Sequence, residues 1–289
     1  MVCTSFVRVL ATIWLALSLF CTWTLGFVAQ VVLWLVFWPF FLCCPRFREV
    51  CQGFCFRCAS VAGGVWLNPA WKIVVVRGPP KDWDPKKRRT ILMANHLSGS
   101  DPWVLSSTFF PWEMKYAYKA SLHMVPIAGW SIRLAGDLAI YFTKDRGGWG
   151  VTPEDIRKMM DRAATLLRMN IGLAVFPEGT RSMSGRLQGF KDGFFRLATE
   201  VEDTYILPAA LMNTDVAWPL NEKTIACATA YVVYGDPILA EGKSVEELKS
   251  EVRDAIICLQ KEAPCFDPVR HEPLQATEMS SMRGHGIEG

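Results

Sequence analysis

The sequence predicts an α/β domain, a mixed and largely parallel sheet flanked by helices, preceded by an N-terminal membrane helical hairpin. Two observations predict it. From residue 71 onward, short β-branched runs alternate with segments of helical periodicity. Before them, no charged residue occurs between Val9 and Pro45.

The 289 residues suit one large domain or two small ones, and 51% of them are hydrophobic. The apolar excess lies in the first 45 residues. The chain therefore divides into a membrane anchor with a juxtamembrane Cys-rich stretch (1–60), a body (61–265) and a polar, loose tail (266–289). A net charge of +3 argues against a nucleic-acid binder.

As one helix, the apolar run would be about 55 Å long, against a hydrocarbon core of roughly 30 Å. Two helices fit better, with the turn near Thr24, Leu25 and Gly26. Arg8 precedes the run and Arg46 and Arg48 follow it, so both ends are expected on the cytosolic side. Crossing the bilayer and dipping into it stay open, and one long tilted span is the alternative. The run is too long for a signal-peptide h-region and has no clear cleavage site, so it is expected to remain.

Ten cysteines are too few and too irregular for a disulfide scaffold. Five crowd just after the apolar run: Cys43, Cys44, Cys51, Cys55 and Cys58. The body adds Cys227, Cys258 and Cys265, a pattern suited to a reduced, cytosol-facing domain. Cys51-x3-Cys55-x2-Cys58 matches no common zinc spacing, and no histidine lies nearby. No metal is expected; S-acylation and simple burial of these thiols both stay open.

In the body, Trp71–Arg77 and Thr90–Ala94 read as strands joined by an exposed loop carrying Lys86-Lys87-Arg88-Arg89. That basic run is either solvated or in contact with anionic lipid headgroups. Leu138–Thr143 is a third strand candidate. Pro153–Met169 reads as a helix capped by Thr152, with proline at its first position. Gly172–Phe176 is a short buried strand, Phe190–Val201 a helix, Tyr205–Leu211 and Ala228–Tyr234 strands, and Val245–Lys261 an amphipathic helix.

Four histidines occur. His285 lies in the tail and His271 near its start, while His123 has no acidic partner close in sequence. His96 directly follows a strand, in Asn95-His96-Leu97-Ser98-Gly99-Ser100-Asp101. Loops beyond the carboxyl ends of strands are where α/β sheets bind ligands. Across a turn entering a helix, Asp101 can reach the imidazole Nδ1, fix its tautomer and leave Nε2 to accept a proton from a hydroxyl. The competing reading makes Asp101 a helix N-cap and His96 a satisfied loop residue. Phe176-Pro177-Glu178-Gly179-Thr180-Arg181-Ser182 also follows a strand. There Arg181 offers a fork of donors suited to phosphate, Gly179 permits close backbone approach and Glu178 can hold the loop. The competing reading is a strand-terminal turn with a salt bridge.

His-x4-Asp and FPEGTRS, in this order behind an apolar N-terminus, resemble the glycerolipid acyltransferases of the 1-acylglycerol-3-phosphate type. The resemblance covers about Trp71 to Pro237. Weaker blocks match Lys119, Pro126 and Gly129, then Gly136, Phe142 and Arg146 at altered spacing, then Phe190-Lys191-Asp192-Gly193 and Ile206-Leu207-Pro208.

The resemblance implies a membrane-bound enzyme that moves a fatty acyl chain from acyl-CoA, a co-substrate, to the sn-2 hydroxyl of lysophosphatidic acid. His96 would act as general base and Asp101 would orient it. Lys119, Glu178, Gly179, Thr180, Arg181 and Arg146 would bind the substrate, with Lys119 and Arg181 on its phosphate. No cofactor, metal or covalent acyl-enzyme is expected. The expected location is the endoplasmic reticulum membrane, with the site facing the cytosol. Glycerol 3-phosphate or another lysophospholipid is the alternative acceptor. A lipid hydrolase using Ser98 or Ser100 lacks a Gly-x-Ser-x-Gly elbow. A non-catalytic lipid-binding protein would not need the intact His96 and Asp101.

Overall fold

The computed structural model describes residues 5–145 and 148–272. Its elements run α1 (Ser5–Cys43), α2 (Pro45–Val61), β1 (Trp71–Arg77), β2 (Arg89–Ala94), α3 (Asp101–Phe109), β3 (Met114–Lys119), α4 (Ala128–Ala135), β4 (Leu138–Ile140), β5 (Thr143–Asp145), β6 (Gly148–Gly150) and α5 (Pro153–Arg168). They continue with β7 (Gly172–Val175), α6 (Gly193–Glu200), β8 (Thr204–Met212), α7 (Thr214–Ala217), β9 (Ala228–Tyr234), β10 (Ile238–Leu239), α8 (Val245–Glu262) and α9 (Pro268–His271).

Successive side chains of β2 face opposite ways, and that alternation builds both cores. Ile91 and Met93 pack under α5, α6 and α8. Leu92 and Ala94 pack under α3, against Val104, Leu105 and Phe109. The sheet order is β1-β9-β8-β2-β7-β3-β4, with β10 beside β8. From β8 to β4 all pairs are parallel; β9 runs antiparallel to β8, and β1 parallel to β9. The mixed, largely parallel sheet flanked by helices is as expected. The chain leaves β2 through α3 to β3 on one side, and leaves β7 through α6 to β8 on the other. The neighbours β2 and β7 thus form a topological switch point, with a crevice beyond their carboxyl ends.

The predicted turn at Thr24–Gly26 is corrected: α1 is continuous through these residues and the hairpin turns at Cys44. Thr24 donates its hydroxyl to the Phe20 carbonyl at 2.7 Å, so it needs no turn. Gly26 is where α1 meets α2: a Cβ there would lie 2.6 Å from that of Ala59. The glycine that reads as a helix breaker serves a close crossing of two helices. Gln30, buried in the apolar rod, donates to the carbonyls of Gln52 (2.8 Å) and Ser131 (3.1 Å), joining α1 to α2 and α4.

The boundary at residue 60 is also corrected, because α2 is part of the body. Arg57 pairs with Asp137 in the buried interior, and Glu49 binds Arg162 at 2.6 Å. Lys115 is fully buried, donating to the Glu49 carbonyl (2.7 Å) and to Glu113 (3.0 Å). This lysine hides β3 from a sequence reading, since a charge occupies an inward position. The tail boundary moves as well. Residues 266–272 pack back on the body, with Phe266 against the core and Arg270 paired to Asp215; residues from 273 onward lie outside the described part.

Smaller differences are local. The strand expected over 138–143 ends at Ile140, and β5 pairs only with β6 in a separate ribbon. The helix expected from Phe190 starts at Gly193, because Lys191 is bonded back to Pro177. Thr152 caps α5 as expected, accepting from the Asp155 N–H at 3.1 Å.

Candidate active site

Parallel pairing of Met93 with Val175 brings the loops after β2 and β7 side by side. Asn95 anchors the first loop by pairing its side-chain amide with Leu211 of β8, at 2.8 Å and 2.7 Å. The His96 ring then stacks on Phe176, centroids 4.1 Å apart and planes within 12°.

His96 Nδ1 lies 2.7 Å from Asp101 Oδ2. The same oxygen accepts the backbone N–H groups of Leu97 (2.6 Å) and Ser98 (2.8 Å). The N-cap position of α3 belongs to Ser100, and the buried Asp101 carboxylate turns back to the loop that carries His96. This geometry separates the two readings of Asp101: the carboxylate holds an imidazole and a tight turn, and does not cap the helix. With Nδ1–H donated to Asp101, Nε2 carries the lone pair.

The second loop is tied to the first at the backbone. Glu178 accepts the His96 N–H at 2.7 Å with one oxygen and the Gln188 N–H at 2.9 Å with the other. The Ser182 N–H donates to the His96 carbonyl at 2.7 Å. Both carboxylate oxygens of Glu178 are thereby used inside the protein, which makes it a positioning group for both loops. Burial raises its carboxyl above the ordinary glutamate range, against the opposing pull of those hydrogen bonds. Gly179 takes φ +72°, closing the turn with its N–H on the Phe176 carbonyl.

Thr180 and Arg181 are exposed at the rim of the crevice. Arg181 Nη1 sits 3.7 Å from where a Cβ on Gly99 would stand, so the guanidinium reaches the His96 loop. Lys119 ends β3, the strand next to β7, on the same edge of the sheet, with its ammonium 5.5 Å from the Phe142 ring. Arg146 lies outside the described residues. His123 bonds Tyr118 through Nε2 at 2.6 Å, and His271 is buried against Asp267; neither joins the site.

The structure adds residues that sequence reasoning did not single out. Lys191 places its side chain against Gly179, beside the Arg181 turn. Trp218 accepts the Ser98 hydroxyl at its carbonyl, at 2.9 Å. Its ring lies 5.9 Å from Trp103, which lies 6.2 Å from Trp23 of α1, so an aromatic ladder links the long helix to the site. The Phe-Lys-x-Gly block was a signal for Lys191; nothing local marked Trp218. Both loop serines are buried, and Ser100 donates to the Ser98 hydroxyl at 3.0 Å. Neither presents a nucleophile to the crevice.

Residues 79–212 match the family model described as Acyltransferase. The chain is 25% identical over 221 residues to a 1-acyl-sn-glycerol-3-phosphate acyltransferase of Chlamydomonas reinhardtii, a match covering 75% of this chain and 61% of that protein. It is 30% identical over 164 residues to the enzyme of the same name from Cocos nucifera, covering 57% and 50%. The matches therefore span less than two thirds of those relatives. Among solved structures, the 1-acyl-sn-glycerophosphate acyltransferase PlsC of Thermotoga maritima has the same fold, with a TM-score of 0.57 at 22% identity over 85% of this chain and 96% of that one.

Proposed function

We propose that the acyltransferase domain of residues 79–212 moves a fatty acyl group from acyl-CoA to the sn-2 hydroxyl of lysophosphatidic acid, giving phosphatidic acid for phospholipid biosynthesis. The observation that carries this reading is the 2.7 Å contact between His96 Nδ1 and Asp101, at a switch-point crevice whose other wall holds Arg181.

His96 Nε2 takes the proton of the acceptor hydroxyl as its oxygen attacks the thioester carbonyl carbon. The tetrahedral intermediate collapses with cleavage of the C–S bond, and the CoA thiolate leaves with the proton held on the imidazole. Asp101 steadies the imidazolium formed between the two steps. Phe176 fixes the plane of the ring. Arg181 and Lys119, with Lys191 beside the same turn, hold the acceptor's phosphate, so its hydroxyl approaches as a positioned reactant. Gly179 and Thr180 line that phosphate site, and Glu178 sets the spacing of the two loops.

The substrates also explain the apolar helix. α1 is long and apolar enough to cross a membrane. It is docked lengthwise on α2 and α4, through Gly26 and Gln30, so standing upright would cost those contacts. We read it as lying in the surface layer of the bilayer, with Leu17, Phe20, Leu25, Val28 and Val32 turned outward into lipid. As its location we propose the endoplasmic reticulum membrane with the crevice toward the cytosol, a side that suits a body holding few and irregularly spaced cysteines.

The test is direct. Detergent-purified protein is incubated with labelled acyl-CoA and a panel of lysophosphatidic acid, glycerol 3-phosphate and neutral lysophospholipids, with and without the His96→Ala change. Label in phosphatidic acid, lost in the variant, is the expected result. Transfer only to another acceptor would replace the substrate, and equal transfer by the variant would refute the base.

A further inference from the structure

We propose that the elbow between α1 and α2 carries a second lipid site, a groove that takes one anionic phospholipid far from His96. The groove has a volume of about 410 Å³, within the roughly 300–1,000 Å³ of small-molecule sites. Phe40, Phe47, Trp112 and Ile171 give it an apolar floor. Arg46 and Lys86 stand on its lining, forty residues apart in sequence and brought together only by the fold.

Three observations choose the occupant. First, two of the lining residues, Phe40 of α1 and Phe47 of α2, are themselves exposed large apolar side chains, so the apolar floor reaches the outer surface of the elbow. Second, Arg46, whose Nε donates to the Met169 carbonyl at 2.7 Å and so holds the guanidinium at the groove, fits an anionic headgroup above an apolar chain together with Lys86. Third, the basic loop is divided by the structure. Arg88 stacks on Trp83 and Tyr205, Arg89 donates to the Glu202 carbonyl, and Lys87 lies 3.7 Å from Asp84. Lys86 is the member of the run that lines the groove. Glu113 also borders it, but its carboxylate is spent on Lys115. Because Gly172 begins β7, the groove sits at the amino ends of the parallel strands, on the sheet edge opposite the crevice.

The inference rests on the reading that α1 lies in a bilayer, and not on the chemistry at His96. The experiment uses the full chain on phosphatidylcholine vesicles doped with a photoactivatable phosphatidylglycerol or its phosphatidylcholine counterpart. Labelled sites are mapped with a protease that does not cut at Lys or Arg. The expected result is labelling of the segments around residues 40–50 and 112 by the anionic probe, falling about tenfold in an Arg46→Gln/Lys86→Gln variant. Activity of that variant in detergent should stay within about twofold of wild type, since both changes are on the surface. Equal labelling by the neutral probe, labelling elsewhere only, or labelling indifferent to the two substitutions would overturn the groove. Flotation on plain phosphatidylcholine vesicles separates the two ideas. Failure to float overturns the bilayer reading and the groove with it, whereas flotation with indiscriminate labelling overturns the groove alone.

Discussion

Glu178 accepts the backbone N–H of His96 at 2.7 Å, joining two strand-end loops that stand 82 residues apart. One oxygen of this carboxylate fixes where the imidazole begins, and the other fixes the loop at Gln188. The Glu of FPEGTRS is therefore the piece that sets His96 against the Arg181 turn.

Glu178→Gln replaces one of two acceptors by a donor facing an N–H. A cost of about 1–3 kcal/mol is expected, read as a drop of several degrees in Tm, with kcat falling as the loops part. The pH dependence has a definite sign. Burial raises the native carboxyl, so the folded protein keeps a proton where the unfolded chain has lost it. This contribution is full below the ordinary glutamate range and is lost as pH rises through it toward the raised native value. Melting of wild type and Glu178→Gln from about pH 4 to 7 should show the difference between them shrinking with pH. A difference that grows with pH would contradict the raised carboxyl.

His96→Ala and Asp101→Asn should each lower turnover by about 10²–10⁴-fold while leaving vesicle binding intact. The double variant should lose little more than His96→Ala, since Asp101 acts through the imidazole. Multiplicative losses in the cycle would show that Asp101 works by another route.

Phe176→Leu keeps bulk beneath His96 but removes the flat stacking face. A stacked ring pair contributes about 0.5–1.5 kcal/mol, so kcat should fall up to roughly tenfold with acceptor KM little changed. A selective rise in KM instead would place Phe176 in acceptor binding.

Arg181→Ala should raise the KM for a phosphate-bearing acceptor more than it lowers kcat, and Lys191→Ala should do so more weakly. Arg181→Lys should restore charge without the planar fork and recover only part of the loss. An unchanged acceptor KM in all three would remove the phosphate clamp.

Arg57→Met leaves Asp137 buried without its partner. A loss of about 3–5 kcal/mol is expected, visible in chemical unfolding as one shifted transition. If α1 and α2 instead unfolded separately from an unaffected body, α2 would be an attached anchor and not part of the domain.

The residues that meet at the crevice were legible because both motifs are local. His96 and Asp101 lie five residues apart, Glu178 to Arg181 form one turn, and each stretch follows a short apolar strand whose end any α/β fold exposes. The strands β1, β2, β7, β8 and β9 were legible for the same reason, as runs of β-branched and apolar residues with ordinary periodicity. β3 was not, because Lys115 occupies an inward position that only a buried ion-pair cluster can satisfy.

By itself, then, the sequence determined the strand-helix alternation, the apolar rod, and the residue types at two strand ends. The tertiary structure decided which strand ends are neighbours, that Asp101 turns to His96 and not to its helix, and that the hairpin bends at Cys44. It also decided that Phe176, Trp218 and Lys191 join the site. The reason is that these outcomes depend on contacts between segments far apart in the chain. Gly26 reads as a break until Ala59 is seen packed against it, and a lysine reads as surface until Glu49 and Glu113 are found around it.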